Sequence, residues 1–106
     1  MQEEMGLQVP FIPGGLSREQ SDAIKAIAAR HGAGNVRVFG SMARGDARGN
    51  SDVDLLIDVT GSTTPWFPGG LLADLEELLG RRVDIVIANS LNSLIREEVL
   101  REAVPL

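Results

Sequence analysis

The sequence predicts a small α/β domain, with about three strands packed against about four helices in the order αβαβαβα. Three observations point there. Runs with helical apolar spacing alternate with short runs of period two. Gly- and Pro-rich punctuation separates those runs. A chain of 106 residues, 43% hydrophobic and 24% charged, suits one domain with a modest core. Periodicity alone does not say whether the strands run parallel.

Residues 1–16 carry three glycines, two prolines and no period, so they are expected to form a flexible N-terminal extension before a domain spanning 17–106. Val9, Phe11 and Ile12 would let it act as a docking arm. "SREQSDAIKAIAARHG" reads as a helix. Ser17 and Gln20 match a capping box, Ala23, Ile24, Ile27 and Ala28 form one stripe, and Gly32 supplies the stop. "NVRVFG" is a strand with Val36 and Val38 on one face. "SMARGDARG" is one or two helical turns and a loop.

"SDVDLLIDV" is the second strand. Val53, Leu55, Ile57 and Val59 share a face, and Asp52, Asp54 and Asp58 take the other. Asp58 is expected to face solvent. "TGSTTPWFPGG" is a loop, and Trp66 and Phe67 within it are expected to fold back on the core; an exposed pair would instead mark a partner surface. In "LLADLEELLG", Leu71, Leu72, Leu75, Leu78 and Leu79 have helical spacing. "RRVDIVIA" is the third strand, and "LNSLIREEVLREA" is a last helix with Leu91, Leu94, Ile95 and Val99 on one side. Arg96, Glu97 and Arg101 are expected on its solvated face. His31 suits a helix end.

Composition narrows the function. The chain has no Cys, which removes disulfides and thiolate metal sites and fits a reducing compartment. Its acidic start does not read as a secretory signal, and no stretch has the length of a membrane helix, so a cytoplasmic protein without a membrane partner is expected. A net charge of −5 argues against a grip on long nucleic acid. A small anionic ligand arriving with divalent cations fits that charge.

"GSMARGDARGNSDVD" carries the chemistry. Asp52 and Asp54, two apart on a strand, point to one side, and like charges so placed need a cation or full solvation. Asp84 interrupts an otherwise apolar strand and would join them if the second and third strands are neighbours. Three carboxylates could then hold two metals roughly 3.5–4 Å apart, a clamp for phosphoryl or nucleotidyl displacement. Gly40 lets a phosphate approach the backbone, Ser41 and the N–H groups of the turn can donate to it, and Arg44 and Arg48 add positive charge. Gly40 and Gly45 have P-loop spacing, but Asp46 stands where Lys is required, so a Walker-type site is rejected.

Gly40-Ser41, ten residues, then Asp52-Val53-Asp54 resembles the G-S-x10-D-x-D signature of the polymerase-β-like nucleotidyltransferases. "GSMARGDARGNSDVDLLI" is similar to their minimal, antitoxin-type branch, as are "RRVDIVIA" and "LNSLIREEVLREAVPL". The resemblance covers about residues 17–106. It implies a nucleotidyltransferase fold with a small mixed sheet, two Mg²⁺ ions, and transfer of a nucleoside monophosphate to a hydroxyl with loss of pyrophosphate. ATP is the expected donor. By position, Asp52 and Asp54 would hold both ions. Asp84 would bind one and help deprotonate the acceptor, and Gly40, Ser41 and Arg44 would hold the nucleotide. The branch further implies a HEPN-domain toxin as partner and a toxin tyrosine as acceptor. No second substrate-binding domain is expected, so a partner would supply the acceptor. Two alternatives stand beside this reading: a non-catalytic subunit that binds a HEPN protein, and a transferase acting on a small molecule or an RNA end. Oligomeric state is left open.

Overall fold

The computed structural model describes residues 16–44 and 52–106. Residues 1–15 of the expected extension (1–16), and Arg48, therefore lie outside the described residues. Leu16 lies inside them and is buried in the core.

Helix α1 spans Arg18–Arg30 and opens on the capping box. Ser17 Oγ accepts from the Gln20 N–H and Gln20 Oε1 accepts from the Ser17 N–H, each at 3.0 Å. Ser21, Ile24 and Ala28 form its buried stripe. The chain leaves α1 through His31 and Gly32, where φ is +81°. The Gly32 carbonyl accepts from the Thr60 and Gly61 N–H groups at 2.9 and 3.1 Å, tying this turn to the far end of the second strand. A Cβ on Gly32 would collide with the Ser62 carbonyl, so the position excludes a side chain on two counts.

Strand β1 (Ala33–Phe39) pairs antiparallel with β2 (Val53–Val59), Val38 opposite Leu55 and Phe39 opposite Asp54. The register shifts between Gly34 and Arg37. Between the strands stands α2 (Ser41–Arg44), one turn long. β2 pairs parallel with β3 (Val83–Ile87), which requires a crossover, and helix α3 (Gly69–Leu79) provides it. Leu71, Leu75 and Leu79 form the buried face of α3. Glu76 of α3 accepts the Val83 N–H at 3.0 Å and so sets where β3 begins. A 3₁₀ turn (Ala88–Ser90) leads to α4 (Ser93–Glu102), capped by Asn92, whose Oδ1 accepts from the Ile95 N–H at 3.1 Å. A two-residue strand β4 (Val104–Pro105) then pairs antiparallel with β1.

The mixed sheet has the order β3-β2-β1-β4, one strand more than expected. β4 is too short to show a period. The core lies between one face of the sheet and helices α1 and α3, which pack on each other. Val36, Val38, Val53, Leu55, Ile57 and Val83 supply the sheet side. Leu56, on the other face of β2, is buried too. His31 Nε2 meets Asp74 Oδ2 at 2.8 Å, which joins the end of α1 to α3.

Three local expectations change. Asp58 does not simply face solvent: it accepts from Arg37 Nη2 at 3.0 Å and from Asn35 Nδ2 at 2.8 Å. Phe67 packs against the core as expected, but Trp66 is 80% exposed. On α4, Leu94 and Ile95 are exposed, and among the described residues nothing buries them.

Gly32→Ala is expected to cost about 1–3 kcal/mol or more, because it adds left-handed strain to a backbone collision. Gly69→Ala, in open space at the start of α3, should be neutral or stabilise by up to about 1 kcal/mol. Urea unfolding of both variants measures the difference.

Candidate active site

The site is built where β1, β2 and β3 end or begin together. Val53 donates its N–H to the Arg82 carbonyl at 2.9 Å, so β2 and β3 start side by side. Their register then sets Val53 beside Val83 and Asp54 beside Asp84. In-register neighbours on parallel strands present their side chains to the same face. Val53 and Val83 turn into the core, and the two aspartates turn away from it. Asp52, two residues before Asp54, is exposed on the aspartates' side.

Asp54 bears the cost of this arrangement. It is half-buried, and its carboxyl is held above the ordinary value of 3.8. Desolvation is the largest cause, followed by the charges of Asp84 and Asp52 and a side-chain hydrogen bond with Asp84. A hydrogen bond between two carboxyls needs a proton between them, so this contact favours the protonated form of Asp54. The Arg44 guanidinium pulls the other way and favours the charged form.

Gly40 lies directly against this cluster. Its φ is +71°, and a Cβ there would stand 2.5 Å from Asp54 Oδ2. Glycine is therefore favoured by the backbone turn, and a side chain there would displace the Asp54 carboxylate. The Arg44 N–H donates to the Gly40 carbonyl at 3.1 Å, closing α2 over Ser41, which is half-buried. A residue not singled out in the sequence completes the turn. Glu102, at the end of α4, accepts the Gly40 N–H on Oε1 at 3.1 Å and Arg44 Nη1 on Oε2 at 3.3 Å. Local spacing could not reveal it, because 62 residues separate it from Gly40.

Of the expected site residues, Asp52, Asp54, Asp84, Gly40 and Arg44 come together at this corner, and Ser41 follows Gly40 in the turn. Among the described residues no three His, Cys, Asp or Glu side chains already surround one point as metal ligands. The carboxylates are instead linked through Asp54, which feels both of the others. The donor set fits a hard divalent cation: all oxygen, like-charged, and carrying repulsion that a cation would relieve.

The raised Asp54 pKa has a sign in stability. The folded state holds this proton more tightly than the unfolded chain, so stability falls as pH rises from about 3.8 through the folded pKa and stays lowered above it. Asp54→Asn removes that loss. In chelator, the variant should melt above the wild type near neutral pH, and the gap should close toward about pH 3. Thermal melts across pH measure it.

Residues 22–106 match the family described as Polymerase beta, Nucleotidyltransferase. The chain is 44% identical over 80 residues to protein adenylyltransferase MntA of Thermococcus cleftensis, covering 76% of this chain and 81% of that one. It is 50% identical to a solved structure assigned as a minimal nucleotidyltransferase, with a TM-score of 0.74, 84% of this chain and 91% of that chain covered. A crystal structure described as a toxin-antitoxin with AMP-PNP shares the fold at 20% identity, with a TM-score of 0.68, covering 80% of this chain and 70% of that one. With a matching family profile across most of its length and the signature residues gathered at one corner of its sheet, the chain belongs to the polymerase-beta nucleotidyltransferase family, in its minimal branch.

Proposed function

We propose that this protein is an Mg²⁺-dependent protein adenylyltransferase that moves AMP from ATP to a hydroxyl of a partner toxin and thereby acts as its antitoxin. The carrying observation is the gathering of Asp84 and Asp52 around Asp54, directly over Gly40. The name of the Thermococcus cleftensis relative supports the reaction, and the toxin-antitoxin neighbour is consistent with the role. A tyrosine on a HEPN-type toxin is the proposed acceptor. Residues 17–106 form the proposed catalytic domain.

Each residue has a task. Asp52 and Asp54 would hold two Mg²⁺ ions, with Asp84 sharing one of them. Bound there, the metal polarises phosphoryl oxygens and offsets developing charge. The Gly40 N–H and Ser41 hydroxyl donate to the triphosphate, and Arg44 adds a charged donor. Asp84, exposed on β3, would accept the proton of the incoming hydroxyl. The new bond joins that oxygen to the α-phosphorus, and pyrophosphate leaves.

The test mixes the protein with Mg²⁺, α-labelled ATP and the product of the neighbouring reading frame. The wild type should label that partner, and Asp54→Asn should reduce labelling by about 100-fold or more, since several kcal/mol of charge stabilisation is lost. Chelation of the metal should abolish labelling. An unlabelled partner that is still neutralised by Asp54→Asn would instead support a non-catalytic subunit.

A further inference from the structure

Glu102 contacts the same groups that the proposed function assigns to phosphate. One carboxylate oxygen takes the Gly40 N–H at 3.1 Å and the other takes Arg44 Nη1 at 3.3 Å. A carboxylate spanning a backbone N–H and a guanidinium presents two oxygens much as a phosphate does. Glu102 is held in reach by the fold: it ends α4, and two residues later Val104 pairs with Val38 of β1. An open cavity is lined in part by Glu98, Val99, Arg101 and Glu102, so the Glu102 side chain itself borders a space that a ligand can enter. Glu102 and Arg44 are both exposed, which keeps their ion pair weak and exchangeable.

We infer that Glu102 is an internal competitor for the phosphate seat and sets the affinity of the site for nucleotide. This inference rests on the reading of the Gly40–Arg44 turn as the triphosphate site. Nucleotide binding then exchanges one anion for another: the Gly40 N–H and Arg44 leave the carboxylate for phosphate oxygens. The Glu102 side chain is released to solvent at the end of α4.

The experiment is calorimetric titration of the full chain with ATP and Mg²⁺. Glu102→Gln should tighten binding about 3- to 10-fold, the range expected from removing a weak exposed competitor. Glu102→Asp keeps the charge but shortens the reach, and it should tighten binding as well. Glu97→Gln, on the same helix, removes an equal charge from outside the contact and should change affinity by less than about twofold. Inorganic triphosphate should show the same gain as ATP. Equal or weaker binding by both Glu102 variants, or an equal gain in Glu97→Gln, overturns the inference while wild-type binding stands. Absence of nucleotide binding in every protein, wild type included, overturns the turn's assignment and the inference with it.

Discussion

The parallel pairing of Asp54 with Asp84 is the constraint from which the rest of the structure follows. Two carboxylates in register on neighbouring strands repel, and the half-buried one must also lose water. With both carboxyls charged, nothing in that pair favours folding. It persists because Val53 and Val83, one residue earlier on the same strands, are locked into the core. The α3 crossover that parallel pairing demands places Leu71, Leu75 and Leu79 against the sheet. Apolar burial on one face of β2 thus offsets an unfavourable arrangement on the other. Such local conflict inside a consistent fold is expected at a working site.

The corner divides into two halves of opposite character. The strand aspartates gather negative charge, while the Gly40 N–H and Arg44 attract it. The halves touch: the Asp54 carboxylate rests on Gly40, and Arg44 acts on Asp54 through its charge. A ligand that brings anions and cations together, as a nucleotide with divalent metal does, satisfies both at once. A chain with a net charge of −5 can hold such a ligand without a basic face.

Much of this was legible in the residues because the signals are local. A capping box operates over three residues and the spacing of Leu71, Leu75 and Leu79 in α3 over four, and both appear where expected; the period-two pattern of β2 holds for Val53, Leu55 and Ile57 but breaks at buried Leu56 and exposed Val59. The spacing of Gly40, Ser41, Asp52 and Asp54 is likewise carried by one short segment. What stayed hidden depends on pairing between distant segments. Neither the parallel sense of β2 and β3 nor the two-residue β4 leaves a periodic trace. Asp58 reads as a solvent-facing strand residue until Arg37 and Asn35 are set across from it. Glu102 reads as one more charge on a polar helix until β4 returns the chain to β1. The apolar residues of α4 have helical spacing, yet spacing cannot say whether a face is covered, and Leu94 is 80% exposed.

The central claim is that aspartates from two strands act as one cation-binding group. Electron paramagnetic resonance of Mn²⁺ titrated into the protein with ATP tests it most directly, because it reads the ion and not the product. The account predicts Mn²⁺ binding by the wild type, weakened about tenfold or more by Asp52→Asn and by Asp84→Asn separately. Mn²⁺ binding untouched by Asp84→Asn would show that β3 contributes nothing to the cation site and would contradict the account.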